Sequence, residues 1–422
     1  MNILILSSNN PYITAGVIAH SLLKGLQAKG HHSKLIVKEY ARYKEDDVVC
    51  IQSKTDVLKF KIKNRLKKIF GVKSKNDFLD NDYSIQDYDQ TKQYFNTKDV
   101  LKHIDFKPDV IIYLFPQKYL NIENLHELNK ATKAPIFWYL MDSAALTGGC
   151  HYFWDCKKYL IGCGSCPGMR STNPKDQSYI NFDFKQKFIN RTDIRLITGT
   201  TNDYKTAKTS LLYRNKPIHK AFLPVDKLFK PVSKNDLRIK LGVPNDKMVF
   251  FIGTNNLAHK RKGIDYLIKS LKIIKDKNKG QNIFLIIAGN NFDYIEKELP
   301  FEYKYLGHFN NQGQLAEAYQ TADFYICPSI QDGGPFMINQ SIMCGTPVVS
   351  FKMGVAPDLV IPNKTGFLAE LKNVNELADR IIDASSISKE ELQRMSDNSR
   401  KLGLEELHID TFVENIEKIF TT

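Results

Sequence analysis

Residues 328–347 read PSIQDGGPFMINQSIMCGTP and decide the fold, because within twenty residues they pass from a strand end through a glycine turn into a helix. The apolar run just before them, Phe324-Tyr325-Ile326-Cys327, has the length of a buried strand. Asp332-Gly333-Gly334 supplies the turn, and Pro335 is expected as the first helical residue, where its missing N–H costs nothing. The free N–H groups and positive dipole end of such a helix face whatever lies beyond the strand, so the stretch fits an anion, with a diphosphate the first candidate. An ordinary strand-to-helix connection without a ligand has the same local pattern. The surrounding chain must decide between them.

Upstream, Met248 to Ile252 reads as a strand running into Gly253-Thr254-Asn255-Asn256. The segment HKRKG, residues 259–263, follows and leads into a helix over Ile264 to Lys275. Arg261 and Lys262, next to a glycine at a helix start, can neutralise a diphosphate while the helix dipole adds to the attraction. A plain surface charge cluster would look alike in this window. Ile283 to Ala288 ends in Gly289-Asn290, and Tyr305-Leu306 in Gly307-His308. Three glycine-terminated strand ends in one domain are expected to converge on one cleft.

The amino-terminal half repeats the theme. Ile3 to Leu6 is a strand, Val17 to Lys29 a helix that stops at Gly30, and His31 to Val37 the next strand, which is the opening of a doubly wound parallel sheet. No GxGxxG is present, and Gly16 stands alone before its helix; it either lets a ligand approach the backbone or eases the turn. Residues 40–100 are polar and lysine-rich and read as an insertion. Val110 to Phe115 and Pro135 to Met141 resume the strands, the second delivering Asp142, Thr147, Gly148, Gly149 and His151 just beyond its end. The linker between two α/β domains is expected around Phe222 to Pro231.

At 422 residues and 42% hydrophobic content the chain suits two such domains. Its apolar runs are strand-sized, far short of the roughly 20 residues of a membrane span, and the start MNILILSS lacks the basic region of a signal peptide, so a cytoplasmic protein is expected. A formal charge of +14 points to an anionic partner. No zinc-finger, helix-turn-helix or RNP-like pattern appears, so nucleic acid is not expected. The densest basic run, Lys54 to Lys75, holds nine Lys/Arg against Asp56 alone, with Leu58, Ile62, Leu66 and Ile69 at helical spacing. It reads as an interfacial helix on an anionic membrane or as a solvated helix packing one stripe on its own domain.

Four of the seven cysteines, Cys150, Cys156, Cys163 and Cys166, fall inside seventeen residues as C-x5-C-x6-C-x2-C. That spacing admits a closed tetrahedral thiolate site for a structural zinc ion, and equally four free thiols packed in a loop. Cys50, Cys327 and Cys344 read as small apolar residues.

The order of elements, RKG after a glycine loop, PSxxD leading to CGTPVVSF, and KTGFL at 364–368 resemble the retaining GT-B glycosyltransferases of family four. TGGCHY (147–152) and CGxCP (163–167) resemble a bacterial subgroup of that family. The resemblance implies an α/β GT-B fold of two Rossmann-like domains facing an interdomain cleft. Residues 1–222 would bind the acceptor and carry the insertion and the cysteine cluster, 223–404 would bind the nucleotide sugar, and a helix over 405–422 would cross back to the first domain. It implies a UDP- or GDP-sugar donor and a glycan or lipid-linked acceptor in bacterial surface polysaccharide synthesis, with no catalytic metal expected; the basic insertion favours a lipid-linked glycan and a peripheral place on the inner face of the plasma membrane. Arg261 and Lys262 match the family's diphosphate clamp, and Asp332 the first acid of its E-x7-E pair. Gln340 stands where the second acid holds the ribose, with Gly253, Thr254, Gly289, Gly307, Gly333 and Gly334 around the donor. Met141 stands where relatives carry a histidine before the aspartate, which leaves Asp142 or His151 to position acceptor or donor; Asp142 joins Arg261, Lys262 and Asp332 as a catalytic residue, and Gly16 and His151 are expected on the acceptor. A non-catalytic nucleotide-sugar-binding or scaffold subunit and a nucleotide-sugar epimerase share this fold.

Overall fold

A continuous apolar run, rather than alternation, is what a parallel sheet covered on both faces requires, and β1 (Asn2–Ser7) has one, with Ile3 to Leu6 fully buried. In the computed structural model the described residues are 1–12, 16–39, 42, 45–55, 57–58, 62, 65, 79–85, 87–309 and 311–421. They divide into two units: unit 1 of Met1–Gly199, Asp203–Ala221 and Val413–Thr422, and unit 2 of Thr200–Asn202 and Phe222–Phe412.

Unit 1 adds β2 (His32–Val37), β3 (Val48–Cys50), β4 (Val110–Leu114), β5 (Ile136–Leu140), β6 (Ile194–Thr198) and β7 (Ile218–Lys220). They form one sheet in the order β3-β2-β1-β4-β5-β6-β7, parallel throughout. Residues 40–100 therefore do more than interrupt the domain: Val48 to Cys50 pairs with Leu35 to Val37 as an edge strand. Three residues are too few for periodicity to reveal, and the same brevity hid β7. The helix Gly16–Ala28 lays Ala19, Leu22, Leu23 and Leu26 on the sheet at i, i+3, i+4 and i+7. Each fully buried leucine stabilises by about 1.5–3 kcal/mol. The chain's last helix, Ile409–Phe420, contributes Glu414 to Lys29 at 2.9 Å and Glu417 to His31 at 2.6 Å within this unit.

Unit 2 holds β8 (Met248–Asn256), β9 (Ile283–Asn290), β10 (Tyr303–Tyr305), β11 (Phe324–Cys327), β12 (Val348–Phe351) and β13 (Gly366–Ala369) in the order β10-β9-β8-β11-β12-β13, again all parallel. Helix Ile264–Asp276 buries Leu267, Ile268, Leu271 and Ile274 against it. A polar knot fixes the entry to β11. Asp323 is buried and accepts from Arg238 Nη2 at 2.7 Å, Lys234 Nζ at 3.0 Å and the Val249 amide at 2.8 Å, which ties the helix Lys234–Leu241 to β8 and β11.

In each sheet the strands run outward from a central first strand and then resume on its other side. The reversal falls between β1 and β4 in unit 1 and between β8 and β11 in unit 2, and crevices at the carboxyl ends of such pairs are where ligands bind. Of the basic helix expected at 54–75, Leu66, Ile69 and most of the lysines lie outside the described residues; Leu58 and Ile62 are exposed. No helix of the described residues is long and apolar enough to cross a membrane.

Candidate active site

The unit 2 crevice is built by two loops stitched together beyond the strand ends. The Ile330 and Gln331 amides both donate to the Arg261 carbonyl, at 2.8 and 3.3 Å, so the loop after β8 and the loop after β11 are held as one piece. Gly263, at φ +67°, makes that approach feasible: a Cβ there would stand 1.9 Å from the Pro328 carbonyl oxygen. Gly263→Ala is therefore expected to destabilise unit 2 by more than about 1 kcal/mol and to push the two loops apart. Urea unfolding compared with wild type checks it; an unchanged midpoint would show that the contact is not needed.

The stitch brings together the three residues picked from the sequence. Asp332 Oδ2 accepts from Arg261 Nη1 at 2.6 Å and from Lys262 Nζ at 2.5 Å, and Oδ1 accepts from the Gly333 amide at 3.0 Å. Burial works to raise the Asp332 carboxyl, but Lys262 and Arg261 outweigh it and hold it below the usual carboxylate range. Two cations thus share one carboxylate, so an excess positive charge is fixed at the crevice. Gly253, Thr254, Lys262, Ser329 and Pro335 line a cavity of about 270 Å³ at the same point.

Pro335 stands one place earlier than expected, at the cap before helix Phe336–Met343, with φ −66° and ψ 96°. Its ring still costs no hydrogen bond there. Gly334 is at φ +94°, a conformation that favours glycine. Gly289 donates its amide to the Gly307 carbonyl at 3.0 Å, pairing two of the expected donor-side glycines at the ends of β9 and β10. Gln340 lies deeper: it is 4% exposed, its amide faces Tyr319 Oη at 3.5 Å and Gln312 Oε1 at 3.4 Å, and it does not line the cavity.

In unit 1, Asp142 caps the short turn Ser143–Leu146 through Oδ1 to the Ala144 amide at 2.7 Å and offers Oδ2 to His151 Nδ1 at 2.5 Å. A carboxylate on Nδ1 assigns that nitrogen a proton and fixes the ring, leaving Nε2 for another partner. His151 lines a cavity of about 620 Å³ with Asp87, Gln90, Gln117, Lys118 and Trp138. Asp87, Gln117 and Lys118 also line the adjoining cavity of about 810 Å³ with Lys38. Sequence reasoning missed these polar residues because they come from loops without a motif; their sole signal was position after β2 or β4 or within the insertion. Lys185 holds the floor, donating to the carbonyls of Ala144 at 2.6 Å and Thr147 at 2.8 Å, and its burial pushes the ammonium down to about 8. Gly16 has an internal reason for lacking a side chain: a Cβ would stand 1.9 Å from the Asn10 carbonyl oxygen.

All seven cysteines are free thiols. Cys150, Cys156, Cys163 and Cys166 line one further cavity, of about 390 Å³. As placed they do not close on a common centre, and among the described residues no three His, Cys, Asp or Glu groups are set to hold a metal ion.

Comparison with known proteins decides what kind of domain surrounds the Arg261–Lys262 crevice. Residues 233–402 match the family model for glycosyl transferases group 1. That segment is a glycosyltransferase domain. The chain aligns with an uncharacterised glycosyltransferase of Methanocaldococcus jannaschii at 31% identity over 160 residues, 35% of this chain. The chain spans 39% of that relative's length and 44% of the next two. Among solved structures, sucrose-phosphate synthase from Thermosynechococcus elongatus aligns over 100% of this chain and 98% of its own, with a TM-score of 0.67 at 14% identity. HepE from Anabaena, in complex with UDP and glucose, aligns over 100% and 99% with a TM-score of 0.59 at 16% identity. At such identities these likenesses speak for the fold, and the fold is GT-B. Within the glycosyltransferase domain fall Arg261, Lys262, Asp332 and the glycine-bearing ends of β8, β9 and β11.

Proposed function

We propose that the protein transfers a sugar from a nucleoside diphosphate sugar to a hydroxyl of a glycan or lipid-linked glycan. The observation that carries this reading is the pairing of Arg261 and Lys262 at the β8/β11 reversal of a glycosyltransferase domain. Breaking the bond between sugar and diphosphate leaves negative charge on the departing phosphate, and fixed donors aimed at developing charge are the largest single source of rate in such reactions. Arg261 and Lys262 supply that charge, and the Gly333 and Gly334 amides stand beside them. Asp332 neutralises the cations in the free protein. When the diphosphate arrives, the clamp exchanges part of its carboxylate contact for phosphate oxygens, and Asp332 remains next to the transferred sugar.

The bond changes are simple. The acceptor oxygen bonds to the anomeric carbon, the anomeric carbon–phosphate oxygen bond breaks, and the acceptor's proton passes to the leaving phosphate. Attack on the same face, with retention, follows when that phosphate takes the proton. Within unit 1, the His151 ring, held by Asp142, has Nε2 for a hydrogen bond with a sugar hydroxyl, and Lys38, Asp87, Gln90, Gln117 and Lys118 give the polar lining a glycan needs. HepE, which shares the fold, is known with UDP and glucose, which favours a UDP-sugar as the first donor to try. The net charge of +14 favours work beside an anionic membrane, with surface polysaccharide as the product.

Incubating the purified chain with UDP-, GDP- and ADP-sugars and measuring released nucleoside diphosphate tests the reading. One donor is expected to be turned over, faster with a glycan acceptor. Turnover that gives an isomerised nucleotide sugar without an acceptor would replace transfer by epimerisation, and binding without turnover would make the chain a non-catalytic sugar-nucleotide binder.

A further inference from the structure

We propose that Cys150, Cys156, Cys163 and Cys166 bind one structural zinc ion. The inference does not rest on the sugar-transfer reading. The segment that carries them, residues 141–176, has no strand and only short turns of helix, at Ser143–Leu146, Lys158–Leu160 and Pro167–Met169. Its own apolar cluster is small, with Leu79, Ile85 and Cys150 at the centre and Tyr83, Tyr88, Phe153, Cys166 and Met169 around them. Beyond that cluster, Ala145, Leu146 and Cys163 of the segment pack on the main core of unit 1, and a bound ion would add an anchor for the rest.

The sulfurs supply the means. All four cysteines face the same cavity, whose other walls are mostly apolar, among them Tyr83, Ile85, Phe153 and Tyr159. A backbone amide is aimed at one of the sulfurs: Gly148 N–H donates to Cys163 Sγ at 3.1 Å. The turn between Cys163 and Cys166 is wound so that its own carbonyls face away: Gly164 is at φ +141°, Ser165 at φ +43°, and Lys158 Nζ takes the Gly164 and Ser165 carbonyls at 2.6 Å each. Four cysteines lining one pocket are the donor set of a closed metal site, and a backbone amide aimed at a sulfur is the outer-shell hydrogen bond that a bound thiolate ligand takes. A soft divalent ion with four sulfur ligands and no open position is zinc in a structural site. As placed, the four cysteines line the cavity without forming a metal-holding group, so binding requires their sulfurs to draw together.

The test is elemental analysis of the full chain, purified without chelator or metal-affinity resin. About one zinc per chain is expected, released when the thiols are titrated with a mercurial, and falling to under about a tenth in Cys163→Ser and Cys166→Ser. Cobalt exchanged into wild type should give the intense visible bands of tetrahedral thiolate ligation. If the serine variants fail to fold, wild-type protein decides alone: four thiols protected before chelation and reactive after it support the site. Zinc near zero with four freely titrating thiols overturns it, as does a Cys163–Cys166 disulfide in non-reducing mass spectra. Donor binding is measured separately, so loss of either result leaves the other standing.

Discussion

Lys262→Ala is expected to lower turnover by about 10² or more, the scale of losing one key charge stabiliser. Lys262 Nζ sits 2.5 Å from Asp332 and lines the cavity at the β8/β11 reversal, so its charge is fixed by the loop stitch before any ligand arrives. A charge whose value rises as the phosphate departs acts on the transition state more than on the bound donor. The loss should therefore fall mainly on kcat, with a smaller change in KM. Arg261 still holds Asp332 at 2.6 Å in the variant, so the crevice keeps one ion pair and the unfolding midpoint should move little. Steady-state kinetics beside a melting curve separate the two effects. Activity close to wild type would remove Lys262 from the clamp, and a collapsed melting temperature would make its role one of folding.

The largest effect on stability is expected at Asp323. Removing its carboxylate in Asp323→Ala strands the buried Arg238 guanidinium and the Val249 amide, and breaking one partner of a buried pair costs about 3–5 kcal/mol. Burial pushes the Asp323 carboxyl up, but Lys234, Arg238 and the Val249 amide pull it below its ordinary value. The sign of the pH dependence follows. A carboxyl that ionises more readily in the folded chain than in the unfolded one stabilises fully above about pH 4, the unfolded value, and that stability is lost as pH falls through the lower folded value. Denaturant melts of wild type and Asp323→Asn should differ most near neutrality and converge in acid; a difference that widened below pH 4 would contradict the assignment.

Much of this architecture was legible in the residues. The apolar strands β1, β4, β5, β8, β9 and β11 have no polar interruption, and a sheet buried on both faces leaves no other way to write them. The clamp was legible because RKG and QDGG each sit between a strand and a helix, and strand ends of one parallel sheet share an edge. What the residues did not reveal was the Asp332 ion pair itself, since nothing in two windows seventy residues apart says that the Arg261 carbonyl bonds the Ile330 amide. Gln340 was read by its place in a motif and lies buried against Tyr319 and Gln312. Strands β3 and β7 are three residues each and carry no period. The cavity residues Asp87, Gln90, Gln117 and Lys118 carry no motif because their chemistry comes from loop positions that only the sheet brings together.

Nucleotide-sugar binding by the intact protein tests the central claim most directly. Thermal unfolding is followed with UDP-, GDP- and ADP-sugars, in wild type and in a variant with Arg261 and Lys262 both replaced by alanine. One nucleotide sugar at 100 times its dissociation constant should add about 2.7 kcal/mol to wild type, with most of that gain absent from the variant. No stabilisation by any of the three, or equal stabilisation of both proteins, would contradict a diphosphate clamp at Arg261 and Lys262.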